Sequence, residues 1–170
     1  MGAGIIDCAQ SSKGIELVAM GDLFQDHLNA APQEIRTNLQ ARNLPVDGIF
    51  RVTPENMFTG FDAYKKVIAS DVDMGILTTP PYFRPEHLRA AVEAGKHVFM
   101  EKPVAVDPAG VRSVLQSSEI ARQKGLTLVA GSCVKSSSTQ GLDNATFGTG
   151  TAGQVNFTIF TTGTTLLTGV

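Results

Sequence analysis

Residues 75–107 read GILTTPPYFRPEHLRAAVEAGKHVFMEKPVAVD, and short apolar runs in and beside this stretch flank an amphipathic segment. The runs at 72–77 and 98–100 predict strands. The segment between them, 85–94, carries its apolar residues at helical spacing and ends at Gly95, which predicts a helix. Strands joined by so short a helical connection indicate a parallel βαβ unit.

The alternation continues on the amino-terminal side of this unit. An apolar run at 15–20 predicts a strand, and the pattern after it predicts a helix over 23–31, with Pro32 opening a second helix as a first-turn proline. Residues 44–60 are interrupted by proline and glycine and are predicted to be mostly loop. A short helix is predicted over 61–69.

On the carboxyl-terminal side, Asp107 precedes a proline and is predicted to cap a long helix. A strand is predicted over 126–130. Strands and helices in this order predict an α/β fold in which helices cover a parallel sheet. The apolar face of the long helix is predicted to contain Val111, Val114, Leu115 and Ala121.

The composition changes sharply near Gly131. Beyond position 124 the charged residues are Lys135 and Asp143, and the chain becomes rich in Ser, Thr and Gly. We therefore expect one domain over 1–131 and a separate segment over 132–170. Alternating residues in QVNFTIF, from position 154 onward, predict a half-buried strand that begins an antiparallel unit.

Composition also limits the classes of partner. The chain has 14 Lys and Arg against 16 Asp and Glu, so it lacks the basic surplus of a nucleic-acid or anionic-membrane protein. No apolar run approaches the roughly 18 residues of a membrane helix. Two cysteines distant in sequence predict free thiols in a reducing, cytoplasmic compartment. No histidine has a partner at metal-ligand spacing, so we expect no metal site.

The first residues, GAGIID, form a partial dinucleotide-binding fingerprint. Gly2 permits a tight turn and Gly4 lets the backbone approach a pyrophosphate, although Asp7 stands at the third glycine position and no strand precedes the motif. Alone, the motif also fits a flexible chain end. Asp22 lies 20 residues after Gly2 and follows a predicted strand, where a carboxylate accepts hydrogen bonds from ribose hydroxyls and repels a 2′-phosphate. Asp22 would also fit as a helix cap, and both roles are compatible.

Two further groups follow predicted strands, at the edge where open α/β sheets bind ligands. Thr79 and Pro80 follow one strand, and Glu101 and Lys102 follow the next. A lysine in such a position can polarise a hydroxyl or carbonyl and relay a proton. His87, at the start of a predicted helix, faces the same edge. Ordinary turns are the alternative for both groups.

Three segments together resemble the Gfo/Idh/MocA family of NAD(P)-dependent oxidoreductases: AMGDLF at 19–24, the stretch 75–107, and LTLVAG at 126–131. The run AGKHVFMEKP is the most specific of them. The resemblance implies a Rossmann-like, doubly wound parallel sheet followed by a second α/β domain that forms a substrate wall and an oligomer interface. It implies hydride transfer between a nicotinamide and a carbinol carbon of a sugar, cyclitol or related compound.

The resemblance also implies roles for individual residues. The cofactor is expected to be NAD rather than NADP, and a cis peptide is expected before Pro103. Carried over by position, the resemblance implies that Gly2 and Gly4 contact the pyrophosphate and that Asp22 contacts the adenosine ribose. It implies that the nicotinamide side is lined by Thr79, Pro80 and His87. Glu101 would contact a cofactor ribose, and Lys102 would be the catalytic lysine.

The sequence departs from this family at both ends. No first strand precedes Gly2, and residues 132–170 contain no histidine and a single acidic side chain, Asp143, where relatives complete catalysis with an Asp/His pair. We therefore expect a truncated member, with a remnant of the second domain and an incomplete catalytic set. The alternatives are a non-catalytic nucleotide-binding fragment and a non-functional remnant. The substrate and a homo-oligomeric state stay open.

Overall fold

The computed structural model describes residues 2–131 and 155–161. Six helices and six strands follow one another along the described chain, together with a 3-10 turn at Pro54–Asn56. The helices are α1 (Gly2–Ser11), α2 (Gln25–Ala41), α3 (Val46–Ile49), α4 (Ala63–Ala69), α5 (Arg84–Glu93) and α6 (Pro108–Gln123). The strands are β1 (Ile15–Asp22), β2 (Met57–Thr59), β3 (Met74–Leu77), β4 (His97–Glu101), β5 (Leu128–Gly131) and β6 (Val155–Thr161).

The strands form one six-stranded sheet in the order β2-β1-β6-β3-β4-β5. Every neighbouring pair in it is parallel. This confirms the predicted α/β class and the doubly wound parallel sheet. Because all strands run the same way, their carboxyl ends meet at one edge, where Asp22, Leu77 and Glu101 end three of the strands.

The strand β6 occupies the position between β1 and β3. Ile159 is opposite Met20 on one side and Ile76 on the other. The predicted strand is therefore present, but the expected antiparallel pairing is wrong. The described residues hold no strand ahead of α1, so the facing edges of β1 and β3 would have unpaired backbone groups without β6. The expected division of the chain at Gly131 stays a prediction.

Helices cover both faces of the sheet. Leu17 of β1 packs in a cluster with α1 and α2, and Ala19 packs in a cluster with α4, α5 and α6. Residues two apart share a face in a regular strand, and it is the register shift between Leu17 and Ala19 that places these two on opposite faces. On the first face, Ile5 and Ile6 of α1 are fully buried, which ties the amino-terminal segment to the core. Cys8, on the same helix, is a free thiol, as expected, and burial raises its pKa to about 11, with Asp7 adding to the effect. Cys133 lies outside the described residues.

Two predictions about helices need correction. Helix α2 is continuous through Pro32, because Leu28, Ile35 and Leu39 form one buried face whose packing offsets the roughly 3 kcal/mol that an interior proline costs. On α6, Val111 and Leu115 are exposed. Val114 and Ala121 are buried as predicted, and Ser117 is the third buried residue of that helix.

The stretch 44–60 is less irregular than predicted. It contains α3, a 3-10 turn and the edge strand β2, whose three residues pair with the end of β1. A strand this short gives almost no periodic signal in sequence. Among the residues that the structure describes, no helix combines the length and hydropathy needed to cross a membrane.

Candidate nucleotide site

A cleft opens at the carboxyl edge of the sheet, on the side of β1 and β3. Three segments form it: the end of β1, the turn after β2 with the start of α4, and the connection from β3 into α5. Its described lining consists of Gly21, Asp22, Leu23, Gly60, Phe61, Ala63, Tyr64, Thr79, Phe83 and His87.

Asp22 ends β1 and is 2% exposed. Its Oδ1 accepts a hydrogen bond of 2.9 Å from the backbone N–H of Phe24, and His27 Nδ1 lies 3.7 Å away. Helix α2 begins later, with Phe24 at its N-cap position and no side-chain cap. Asp22 therefore closes a turn ahead of the helix rather than capping it, and its carboxylate is part of the cleft lining.

Gly60 turns the chain between β2 and α4 beside Asp22. Its φ is 95°, in the left-handed region that glycine adopts without strain, and its N–H donates to the Asp22 carbonyl at 3.1 Å. Phe61 follows and is 70% exposed, and its ring lies 6.1 Å from that of Phe83. The cleft is therefore flanked by flat apolar rings as well as by a carboxylate.

The floor of the cleft carries a hydrogen-bonded pair of buried groups, Thr79 and His87. Thr79 Oγ1 lies 3.2 Å from His87 Nδ1, and the His87 ring stacks on that of Tyr64 with centroids 4.1 Å apart. Burial lowers the pKa of His87 to about 4, partly opposed by Glu86, so the imidazole is neutral at pH 7. The Tyr64 hydroxyl donates to Glu86 Oε1 at 2.7 Å, and burial and this carboxylate raise the pKa of Tyr64.

The turn after β4 lies farther along the same edge. Glu101 is half-buried, Lys102 and Pro103 are exposed, and the Lys102–Pro103 peptide is cis, as expected. The Lys102 N–H donates to the Gly131 carbonyl at 3.0 Å. Arg84, the first residue of α5, donates to the carbonyls of Thr79 and Pro103. The buried guanidinium thus connects the turn after β4 to the connection after β3.

Gly2 and Gly4 form the first turn of α1 rather than a loop between a strand and a helix. Asp7, at the third glycine position of the motif, projects sideways from α1 and its Oδ1 lies 2.5 Å from Arg42 Nη1. Asp7 is thus paired with Arg42, while Ile5 and Ile6 are the residues of α1 that are buried in the core.

The structure brings together three of the predicted site residues, Asp22, Thr79 and His87, in one cleft. Pro80, Glu101 and Lys102 lie along the same edge and are not part of its described lining. The roles assigned to all eight residues stay predictions. No sequence motif pointed to Gly60, Phe61, Tyr64 and Phe83 of the lining or to Arg84. Recognition of MFT as a strand would have placed the first two at this edge, since they directly follow it.

The described lining suits the adenosine part of a dinucleotide such as NAD. A buried carboxylate suits the two hydroxyls of an adenosine ribose, and aromatic rings beside it suit the flat adenine. No lysine or arginine belongs to the described lining, and His87 is neutral.

Comparison with known proteins agrees with this chemistry. Residues 13–132 match the family model described as an oxidoreductase family with an NAD-binding Rossmann fold. The match begins after α1, so Gly2 and Gly4 lie outside it. The chain is 31% identical over 123 residues to the inositol 2-dehydrogenase of Klebsiella pneumoniae, an alignment covering 69% of this chain and 31% of that protein.

A second curated relative, the inositol 2-dehydrogenase of Pseudomonas fluorescens, is 30% identical over 122 residues, covering 72% of this chain and 31% of that protein. The chain therefore spans about a third of the length of the relatives it matches.

Solved structures show the same fold. The myo-inositol 2-dehydrogenase of Lactobacillus plantarum superposes with a TM-score of 0.53 at 22% identity, covering 76% of this chain and 32% of that one. The scyllo-inositol dehydrogenase of Lactobacillus casei, solved with bound NAD(H) and scyllo-inositol, superposes with a TM-score of 0.50 at 20% identity. The match covers 75% of this chain and 32% of that one. The structures show the fold, and the family match over residues 13–132 shows that the chain belongs to the Gfo/Idh/MocA family of oxidoreductases with its NAD-binding Rossmann fold.

Proposed function

We propose that this chain is the nucleotide-binding part of an NAD-dependent dehydrogenase that acts on a cyclitol or a related sugar polyol. The observation that carries the proposal is the Asp22 carboxylate, 2% exposed, in the lining of a cleft at the carboxyl edge of a parallel sheet. Ribose hydroxyls are hydrogen-bond donors that a carboxylate at the end of such a strand can accept.

The same carboxylate supports NAD over NADP. A 2′-phosphate in contact with Asp22 would place two negative charges together in a partly buried cleft, without a described lysine or arginine in the lining to compensate. Gly60 supports a close approach of the ligand, because it presents no side chain next to Asp22.

The substrate class rests on the relatives. Two inositol 2-dehydrogenases at 30% and 31% identity support a polyhydroxylated ring as substrate. When bound, the nicotinamide accepts or donates the hydride of such a reaction. The chain's own contribution is to bind the dinucleotide through Asp22 and the rings around it, and to present Lys102 at the next strand end.

Lys102 is proposed to act on the reacting oxygen of the substrate. Its side chain is exposed on the turn after β4, so Nζ is accessible to donate a hydrogen bond to the reacting oxygen of a carbonyl or hydroxyl. One lysine does not both orient a polyol and transfer its proton. We therefore expect no efficient turnover from this chain alone.

The first experiment is thermal unfolding with millimolar NAD⁺, NADP⁺ or no nucleotide. A ligand at about 100 times its Kd adds roughly 2.7 kcal/mol to the folded state, so NAD⁺ is expected to raise Tm clearly and NADP⁺ is not. Asp22→Ala is expected to abolish the NAD⁺ effect. The matched control is Asp26→Ala, an acidic residue in the first turn of α2 whose side chain is 82% exposed.

Two results would contradict the proposal: a cooperative transition that ignores both nucleotides, or an NAD⁺ response that survives Asp22→Ala. Reduction of NAD⁺ in the presence of a panel of inositols and sugars is measured in parallel. A rate typical of a dehydrogenase would contradict the expectation that the chain alone is a poor catalyst.

A further inference from the structure

Among the lysines and arginines that the structure describes, Arg84 alone is buried, with 2% of its surface exposed. Desolvation of a guanidinium costs several kcal/mol unless nearby groups compensate it. Burial lowers the pKa of Arg84 from its ordinary value, and the Glu101 carboxylate opposes that effect. The burial of this charge at the start of α5 must therefore be offset by groups around it.

The compensation comes from two backbone carbonyls on different segments. One guanidinium nitrogen donates to the Thr79 carbonyl, in the connection after β3, and the other donates to the Pro103 carbonyl, in the turn after β4. The strand pairing of β3 with β4 runs only as far as Leu77 and Met100. Arg84 therefore joins the two segments beyond the point where the sheet holds them.

The Arg84 bridge helps to fix the position of the Lys102 backbone. The Lys102 N–H is bonded to Gly131 of β5, and the carbonyl of the next residue is bonded to Arg84. The backbone around Lys102 is thus held by β5 on one side and by the side chain of Arg84, on α5, on the other. Thr79, the other carbonyl partner of Arg84, also faces His87 in the nucleotide cleft.

We infer that Arg84 is a positioning residue for Lys102: it fixes the lysine relative to the nucleotide cleft by joining the Thr79 and Pro103 carbonyls. The inference rests on the proposed function for the use of Lys102, but the bridge itself does not. Arginine suits this role because its planar fork reaches two acceptors at once, which a lysine cannot do in the same geometry.

The variants are Arg84→Lys, which keeps the charge and reaches one carbonyl, and Arg84→Met, which removes both bonds. The matched control is Arg89→Met on the same helix. The Arg89 side chain is 35% exposed, and its Nε lies 3.6 Å from Glu93 Oε1. The primary readout is the NMR signal of ¹³C-dimethylated Lys102, assigned with Lys102→Arg. Thermal unfolding and NAD⁺ titration accompany it.

Both Arg84 variants are expected to shift or broaden the Lys102 signal and to leave the signals of the other lysines in place. Arg89→Met is expected to change none of them. In an assembled, active dehydrogenase, the same variants should lower kcat by tenfold or more with little change in the KM for NAD⁺, because misplacement of a catalytic group by about 1 Å costs on the order of a hundredfold.

An unchanged Lys102 signal in a folded Arg84→Lys variant overturns the inference, whether or not Arg84→Met folds. A uniform change across all lysine signals also overturns it, since that is what loss of general stability would cause. Failure of the proposed function looks different: the wild-type protein ignores NAD⁺, while the Lys102 signal still responds to Arg84.

Discussion

Thr79 Oγ1 and His87 Nδ1 lie 3.2 Å apart beneath the nucleotide cleft, and both side chains are buried. The ring of Tyr64 covers the imidazole on one face. A protonated His87 would be a buried cation whose Nδ1 could still donate to the threonine, but whose hydration would be lost. The arrangement therefore favours the neutral imidazole and makes the fold sensitive to acid.

We expect stability to fall as the pH is lowered from 6.5 towards 4. The His87 pKa is about 4 in the folded protein against 6.5 for the ordinary group, so in this range the unfolded chain binds more protons than the folded one. The loss amounts to at most about 3 kcal/mol. Urea unfolding at a series of pH values measures it.

The control for this pH dependence is His87→Phe, which keeps a ring to stack on Tyr64 and cannot titrate. Its stability should change less between pH 6.5 and 4 than that of the wild type. Parallel curves for the two proteins would assign the acid sensitivity to other groups.

Gly60→Ala is expected to destabilise the protein by on the order of 1–2 kcal/mol, because a φ of 95° places an alanine in a strained backbone region. An added Cβ would meet no atom within 4 Å, so the effect is one of backbone conformation alone. The matched variant is Gly48→Ala in α3, where the Cβ would make an ordinary contact of 3.6 Å with Pro45. Equal urea midpoints for the two variants would contradict the assigned turn geometry.

Thr158→Pro tests the central strand. Thr158 is opposite both Ala19 and Gly75, so a proline there removes a backbone donor from a strand paired on both sides. We expect a loss of about 3 kcal/mol or more, comparable to an interior proline in a helix. Thr158→Val keeps the N–H and the branched side chain and should be nearly neutral. Similar unfolding midpoints for the proline and valine variants would show that residues 155–161 do not contribute to the sheet in solution.

The elements that sequence predicts well here are those whose signals are local. Asp107 before a proline predicts the start of α6, and its carboxylate accepts from the Gly110 N–H at 2.6 Å. The strands around β3 and β4 are continuous apolar runs, which is typical of parallel strands buried on both faces. The apolar run at 15–20 likewise predicts a strand, and so places Asp22 at its carboxyl end.

The features that sequence does not predict depend on distant partners. The proline inside α2 is tolerated because of a buried face that only the folded sheet provides. The direction of β6 depends on unpaired edges of β1 and β3, and no local pattern encodes them. Arg84 appears in sequence as an ordinary charged residue at a helix start, whereas its burial depends on carbonyls from two separate segments.

The position of β6 also governs the order in which this sheet can assemble. Met20 is paired with Ile159, which leaves the ribosome long after it. While the chain is being made, β1 and β3 are already present, yet the strand that joins them has not been synthesised. Pairing between such distant segments slows folding and leaves strand edges open in the meantime. The sheet is therefore completed only once residues 155–161 have been made, and until then the facing edges of β1 and β3 stay open.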